Sequence, residues 1–216
     1  MSDSNDRRIW VDGTLVPWAD ATVHVLSHSL QRGSLVFDYM SVHPARRGTA
    51  VFRLGEHLER LRLSTELVGL DLRHSEAELA SAVCSTVRAN PGAKAVKVSA
   101  YLPSIEVDVV PLDPRVSVAI AAYDPGRDIV DHKDVKPELR FEYRVWLEKE
   151  RRNRRPDIVE PQAKVAANYT SPMLAKARAK AAGYDEVLLL DADGRVAEGP
   201  TTNVFMPIYL AHSPNS

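Results

Sequence analysis

The sequence predicts a mixed α/β chain of the α+β type in two domains. Three observations support this: strand-like and helical stripes intermix through the first 124 residues, a polar, proline-bearing stretch follows, and a helix followed by a hairpin is written near the C-terminal end. Ile9-Trp10-Val11 and Thr14-Leu15-Val16 flank Asp12-Gly13, a pair that takes positive φ at low cost, so the chain opens with a β-hairpin. A mixed polar and apolar stretch runs through Phe37 to a short strand at Val51-Phe52. Leu54, Leu58, Leu61 and Val68 then recur on one face of a helix. Ser75 and Glu78 form a capping box, Leu79, Val83 and Val87 give a second helical stripe, and Asn90-Pro91-Gly92 stops it. Val96, Val98, Ala100 and Leu102 alternate as a half-buried strand should, and Val116 to Tyr123 reads as another.

From Asp124 to Leu139 the chain is rich in Asp, Pro, Lys and Gly and poor in large apolar residues. A linker at 125–140 is therefore expected, between a small domain at 1–124 and a larger one at 141–216. In the second part Phe141 to Leu147 reads as a strand. Ser171-Pro172 offers an N-cap and a first-position proline for a helix ending at Gly183. Glu186 to Asp191 reads as a strand, and Asp193-Gly194 turns it back through Arg195 to Ala197, delivering Glu198 and Gly199-Pro200-Thr201-Thr202-Asn203. The run Glu148 to Arg155 is short, contains acids and lacks interleaved aromatics, so it reads as a solvated loop and not as a nucleic-acid patch.

Composition removes several function classes. The 216 residues are 44% hydrophobic, enough to bury a core, and 28 basic against 29 acidic residues leave a net charge of -1, with no basic field for nucleic acid. One cysteine, Cys84, forms no internal disulfide, and no stretch of about 18 apolar residues marks a membrane span. The start, Met1 to Arg8, lacks the apolar core of a signal peptide, so a cytoplasmic protein with no membrane partner is expected. The seven histidines include no H-E-x-x-H pair, and no metal site is expected. His57 reads as flanking a helix, and His24 and His28 as structural or chemical with equal weight.

Lys164 lies in Gln162-Ala163-Lys164-Val165-Ala166-Ala167-Asn168-Tyr169, just before the expected helix. Small apolar neighbours can hold an amine where water is scarce, which disfavours the ammonium form and leaves the neutral amine that Schiff-base chemistry needs. By chemistry alone an ordinary solvated lysine stays open as the alternative.

Several blocks then come in a telling order: Ile9 to Gly13, Val23-His24-Val25-Leu26-Ser27-His28, Gly33 to Phe37, Val51 to Leu61, Lys164 to Tyr169, and Val196 to Phe205. Together they resemble class IV aminotransferases across nearly the whole chain to Phe205. Branched-chain aminotransferases look nearest through the first three blocks. D-amino-acid transaminases, R-selective amine transaminases and aminodeoxychorismate lyases share the later ones. The resemblance implies a two-domain, fold-type IV enzyme of the D-amino-acid aminotransferase-like kind that uses pyridoxal 5'-phosphate, acts on amino acid and keto acid substrates, and forms a homodimer. Lys164 matches the lysine that joins the cofactor aldehyde and then moves the proton at the substrate α-carbon. Glu198 matches the acid beside the pyridine nitrogen, Tyr169 the tyrosine at the cofactor's phenolic oxygen, and Arg60 the arginine that grips the phosphate. From the residues alone, Arg60 reads as a salt-bridge partner of Glu56, Glu198 as a hairpin-end carboxylate and Tyr169 as a helix-cap aromatic. A lyase using the same lysine, or an inactive relative, is the alternative.

The sequence also departs from the pattern. Arg32 stands where branched-chain enzymes tend to carry an aromatic, Lys97 lies on a strand where an arginine-containing motif is usual, and Phe37-Asp38-Tyr39-Met40 lacks the Phe-Glu-Gly form. The segment Met206 to Ser216 has neither the helix start nor the length of the family's C-terminal portion, so an incomplete second domain is expected.

Overall fold

The turn at Asp12-Gly13 adopts φ of 44° and 100° and joins β1 (Arg8–Val11) to β2 (Thr14–Pro17), with Val11 opposite Thr14. The computed structural model describes residues 6–46, 48–130 and 142–206. Within them the chain forms a short helix α1 (His28–Arg32), strands β3 (Val36–Ala45) and β4 (Gly48–Val51), helices α2 (Leu54–Leu67) and α3 (Glu76–Ala89), and strands β5 (Ala95–Tyr101) and β6 (Ser117–Tyr123). Further on come β7 (Val145–Arg152), α4 (Thr170–Ala181), β8 (Glu186–Leu190) and β9 (Val196–Glu198).

Two compact units result. The first takes Met1–Leu139 together with Pro156–Asn168, and the second takes Arg140–Arg155 together with Tyr169–Ser216. A contiguous division at 125–140 does not account for Pro156–Asn168, which returns to the first unit. The reason is packing: Ala163 and Val165 are buried in the core of the first unit, Val165 bridges to Val36, and the Ala166 N–H donates to the Leu35 carbonyl at 2.7 Å.

The first unit is built on an antiparallel sheet of order β2-β1-β6-β5-β3-β4. Alternation along β5 and β6 buries Val96, Val98, Ala100, Val118, Ile120 and Ala122 in one core with Leu58 and Leu61 of α2 and Leu79 and Val83 of α3. The intervening Lys97, Ser99, Tyr101 and Ala119 project from the opposite face and are half-buried. Both long helices match the stripes in the sequence, and the Ser75–Glu78 capping box forms reciprocally. The longest strand, β3, carries no clear signal in the sequence, because the inward series Val36, Asp38, Met40, Val42 contains a wholly buried aspartate. Gly33, at φ 71°, ends α1; its carbonyl accepts from the Ala167 N–H of the returning segment at 3.3 Å, and a Cβ there would meet Ala167 at 3.4 Å.

In the second unit β7 pairs in parallel with β8, α4 is the crossover, and β8 pairs antiparallel with β9. Ala175, Ala179, Val187 and Leu189 form its core. Most of the run from Glu148 to Arg155, expected as a solvated loop, is instead strand. Glu148 is buried and its carboxylate accepts from the Glu150 and Arg151 N–H groups, satisfying an irregular stretch where the register with β8 shifts. The β7 strand begins at Val145, and Phe141, expected within it, lies outside the described residues. The α4 helix is capped at Tyr169, so it starts before the expected Ser171 cap, and Pro172 is its third residue. A proline is tolerated there because N–H groups of the first turn have no intrahelical acceptor. Gly183, at φ 81°, terminates α4, with Tyr184 N–H donating back to the Ala179 carbonyl at 2.9 Å. Among the described residues, no helix is long and apolar enough to cross a membrane, and no group of His, Cys, Asp and Glu side chains gathers to hold a metal. Of the tail expected to mark an incomplete domain, positions 207–216 lie outside the described residues.

Candidate active site

Lys164 is clamped by its backbone. Its N–H donates to Ser64 Oγ of α2 at 3.1 Å, and its carbonyl accepts from the Phe37 N–H of β3 at 3.0 Å. Ser64 is fully buried, as is Ala163, and Val165 is nearly so. The peptide is therefore fixed on both sides while the side chain, itself partly buried, runs to place Nζ 5.2 Å from the centroid of the Phe37 ring. Buried small apolar neighbours are those that the sequence placed there.

Arg60 sits one helical turn before Ser64 on α2, on the side that meets β3. Its Nε donates to Asp38 Oδ2 at 2.8 Å and its Nη2 to Oδ1 at 2.7 Å, a two-point grip that fixes the guanidinium plane. Asp38 is wholly buried and also accepts from the Tyr39 N–H at 2.7 Å and pairs with His57 Nδ1 at 2.8 Å. The carboxylate that grips Arg60 is thus Asp38 and not the expected Glu56, which pairs with Arg53 at 2.8 Å. His57 lies inside α2, not beside it, and shares the Asp38 carboxylate. The plane of Arg60 is anchored in this way although 47% of its side chain is exposed. Lys164 and Arg60 are held by the same two elements: each is bonded to the Phe37-Asp38 stretch of β3, Arg60 belongs to α2, and Lys164 is tied to α2 through Ser64.

The opposite face of the sheet supplies more. Lys97, the cross-strand partner of Tyr39, places its Nζ 4.5 Å from the same Phe37 ring. Burial holds the Lys97 amine below the usual lysine range, and the charge of Lys164 adds to the effect. Ser99 is the cross-strand partner of Phe37 and lines a largely apolar cavity of about 500 Å³, together with Val11, Leu30, Leu35, Tyr101 and Ala166. Burial also pushes the Tyr101 phenol up, with a smaller contribution from Asp12. His28 is structural: its ring nitrogens bond Ser34 Oγ and the Val109 carbonyl, both at 2.8 Å. His24 Nδ1 accepts from the Leu26 N–H at 3.1 Å, and Arg32 Nη2 donates to the Val107 carbonyl at 2.7 Å.

The other two expected residues belong to the second unit. Glu198 ends β9, and its Oε1 accepts from Arg154 Nε at 2.7 Å and Asn153 Nδ2 at 3.1 Å. Arg154 reaches it from a left-handed backbone, φ 52°, at the end of the charged run. Tyr169 ends a 3-10 turn, Ala166–Tyr169, and caps α4, partly buried. Sequence reasoning missed Asp38, Ser64, Asn153 and Arg154 as supports. Only the departure at Phe37-Asp38 hinted at one of them, since contacts such as Ser64 to Lys164 join positions a hundred residues apart.

The sequence profile of the family described as amino-transferase class IV matches residues 35–207, a span that contains all four of these side chains. The chain is 33% identical over 207 residues to the branched-chain-amino-acid aminotransferase of Pseudomonas aeruginosa, covering 95% of this chain and 65% of that protein. It is 32% identical over 205 residues to the Escherichia coli K12 counterpart, covering 91% and 62%. Among solved structures, the branched-chain aminotransferase of Thermoproteus uzoniensis with norvaline superposes with a TM-score of 0.77 at 32% identity, over 90% of this chain and 63% of that one. The branched-chain amino acid aminotransferase of Thermobaculum terrenum, in its PLP-bound holo-form, gives 0.74 at 26% identity, over 92% and 63%. The chain therefore spans less than two thirds of the length of each of these relatives.

Proposed function

Because the chain belongs to the class IV aminotransferases, as the match over residues 35–207 establishes, we propose that it moves an amino group between a branched-chain amino acid and 2-oxoglutarate or a similar keto acid, using pyridoxal 5'-phosphate and Lys164. The observation that carries this reading is the shared anchoring of Lys164 and Arg60 on β3 and α2. In the first unit the donors suit a phosphorylated aromatic aldehyde, a primary amine on a clamped backbone and a guanidinium with a fixed plane; the family resemblance assigns the Glu198 carboxylate and the Tyr169 hydroxyl of the second unit to the same cofactor. When bound, that cofactor supplies a ring able to accept the electrons left at the substrate α-carbon.

The residues divide the work. Lys164 Nζ would accept and hold the proton released at the substrate α-carbon, for which an amine tethered by two backbone hydrogen bonds has a short, repeatable path. Arg60, its plane fixed by Asp38, would bind the phosphate dianion. By the family resemblance Glu198 would keep the pyridine nitrogen protonated and Tyr169 would donate to the phenolic oxygen. The apolar cavity beside Ser99 and Leu35 suits an aliphatic side chain, and the names of the relatives, with norvaline bound in one of them, support the same substrate class. We also propose a homodimer in the cytoplasm. Val107, Val109, Val110 and Leu112 expose 74–98% of their surface on one segment pinned by His28 and Arg32, an apolar edge that a second copy would cover, and the single thiol of Cys84 suits a reducing compartment.

The test is the visible spectrum of the purified chain with pyridoxal phosphate, followed by borohydride reduction and mapping of the modified lysine. An absorption band with the label on Lys164 is expected, and keto acid formation from leucine, isoleucine or valine should follow. A folded chain with no band, or a label scattered over surface lysines, overturns the reading.

A further inference from the structure

Two lysines share one aromatic ring. Lys97 Nζ lies 4.5 Å and Lys164 Nζ 5.2 Å from the Phe37 centroid, yet the two residues come from different parts of the fold. Lys97 projects from the middle of β5, between Val96 and Val98, both fully buried, so its Cα is as rigidly placed as any in the sheet. It lies diagonally across from Phe37 on the same face, since Phe37 pairs with Ser99 and Tyr39 with Lys97. Lys94, three residues earlier, behaves as a surface lysine does: its side chain is 72% exposed and bound to Asp124 at 2.8 Å. Among the described residues Lys97 has no such carboxylate, and the charge that acts on it is the like charge of Lys164.

We propose that Lys97 is a second carbonyl-reactive amine of this site, able to take the aromatic aldehyde that Lys164 takes. The chemistry is a balanced condensation: the amine lone pair adds to the aldehyde carbon, water leaves, and an imine forms. Borohydride then delivers hydride to the imine carbon and fixes the adduct as a secondary amine. Exposed, carboxylate-paired lysines such as Lys94 lie away from the Phe37 ring, with the amine turned to a carboxylate. Lys97 is set apart from them by burial and by its charged neighbour, both of which favour the neutral amine. In the working protein this amine would offer a second point of attachment to an aldehyde joined neither to Lys164 nor to a substrate amine, on the Phe37 side of the sheet. The inference rests on the proposed role of Lys164, and the experiment separates the two.

The full chain and its Lys164→Arg and Lys164→Ala variants are treated with pyridoxal phosphate and borohydride, and labelled lysines are quantified by peptide mass spectrometry, with circular dichroism as the check on folding. In the parent chain Lys164 is expected to dominate. In both variants the label should move to Lys97, at least about tenfold above any other lysine, and vanish from the site on adding Lys97→Met. Lys164→Arg retains the like charge and Lys164→Ala removes it, so half-maximal labelling of Lys97 should come at lower pH in the arginine variant. Should either variant fail to fold, the other, and excess reagent on the parent chain with and without Lys97→Met, give the same reading. Labelling of Lys97 no greater than that of Lys94 in the folded variants overturns the proposal. A parent chain unlabelled at Lys164 but labelled at Lys97 sinks the proposed function and leaves this inference standing.

Discussion

The two units hold their candidate site residues by different means. In the first, Lys164 and Arg60 hang from fully buried groups, the Ser64 hydroxyl and the Asp38 carboxylate, beside a core shared by α2, α3, β3, β5 and β6. In the second, Glu198 ends a three-residue strand and is steadied by Arg154 and Asn153, with 27% of its own side chain exposed. A buried support has no water to fall back on, so its geometry is rigid and its loss is costly. A half-exposed one yields to solvent at little cost. The first arrangement suits the fixed positions that the roles proposed for Lys164 and Arg60 require, and the second the adjustable contact proposed for Glu198.

Substitutions can break or sharpen that contrast. The largest effect is expected at the base of the first unit, where Arg7 and Asp128 pair at 2.8 Å with side chains 5% and 1% exposed. Arg7→Met leaves that carboxylate buried with the Asp124 N–H at 2.7 Å and the more distant Arg127 at 3.5 Å, and should lower stability by about 3 kcal/mol in urea unfolding. Ser64→Ala strands the Lys164 N–H and should cost about 1–3 kcal/mol, with slower trapping of the aldehyde at Lys164. Asp38→Asn removes the charge from the Arg60 grip. Affinity for pyridoxal phosphate should fall about tenfold while affinity for unphosphorylated pyridoxal barely moves; equal losses for both would refute the role given to Arg60. Arg154→Met in the second unit should cost only about 0.5–1 kcal/mol, because both partners are partly solvated.

The smallest effect concerns pH. Hydrogen bonds from the Ser75 backbone and hydroxyl hold Glu78 below the usual glutamate range. A carboxyl lowered by folding stabilises the native state above its unfolded value, and that help fades as pH falls through the lowered one. Thermal melts of Glu78→Gln should therefore lie slightly below those of the parent chain at neutral pH and converge with them in acid. A constant gap would show that the charge of Glu78 is not what matters.

Local signals made much of the fold legible: the Asp12-Gly13 hairpin, both long helices, β5, β6 and β8 all follow from period and turn chemistry. What stayed hidden depended on burial that only the tertiary structure creates. Asp38 stands in the sequence only as a departure from the Phe-Glu-Gly form until His57 and Arg60 of α2 satisfy it, and Glu148 reads as a solvated acid until the irregular β7 strand turns its own N–H groups onto it. Lys164 and Arg60 stood out because they occur in ordered blocks resembling a family. Their supports did not, because Ser64 and Lys164 are a hundred positions apart and neither carries a mark of the other.

The return of Pro156–Asn168 to the first unit also orders events during synthesis. A growing chain that has produced β6 holds nearly all of the six-stranded sheet, but the places of Ala163 and Val165 stay empty until some forty residues later. The last piece of that core and the amine proposed to react, Lys164, arrive on the same short segment, so that amine takes its place only when the first unit is sealed.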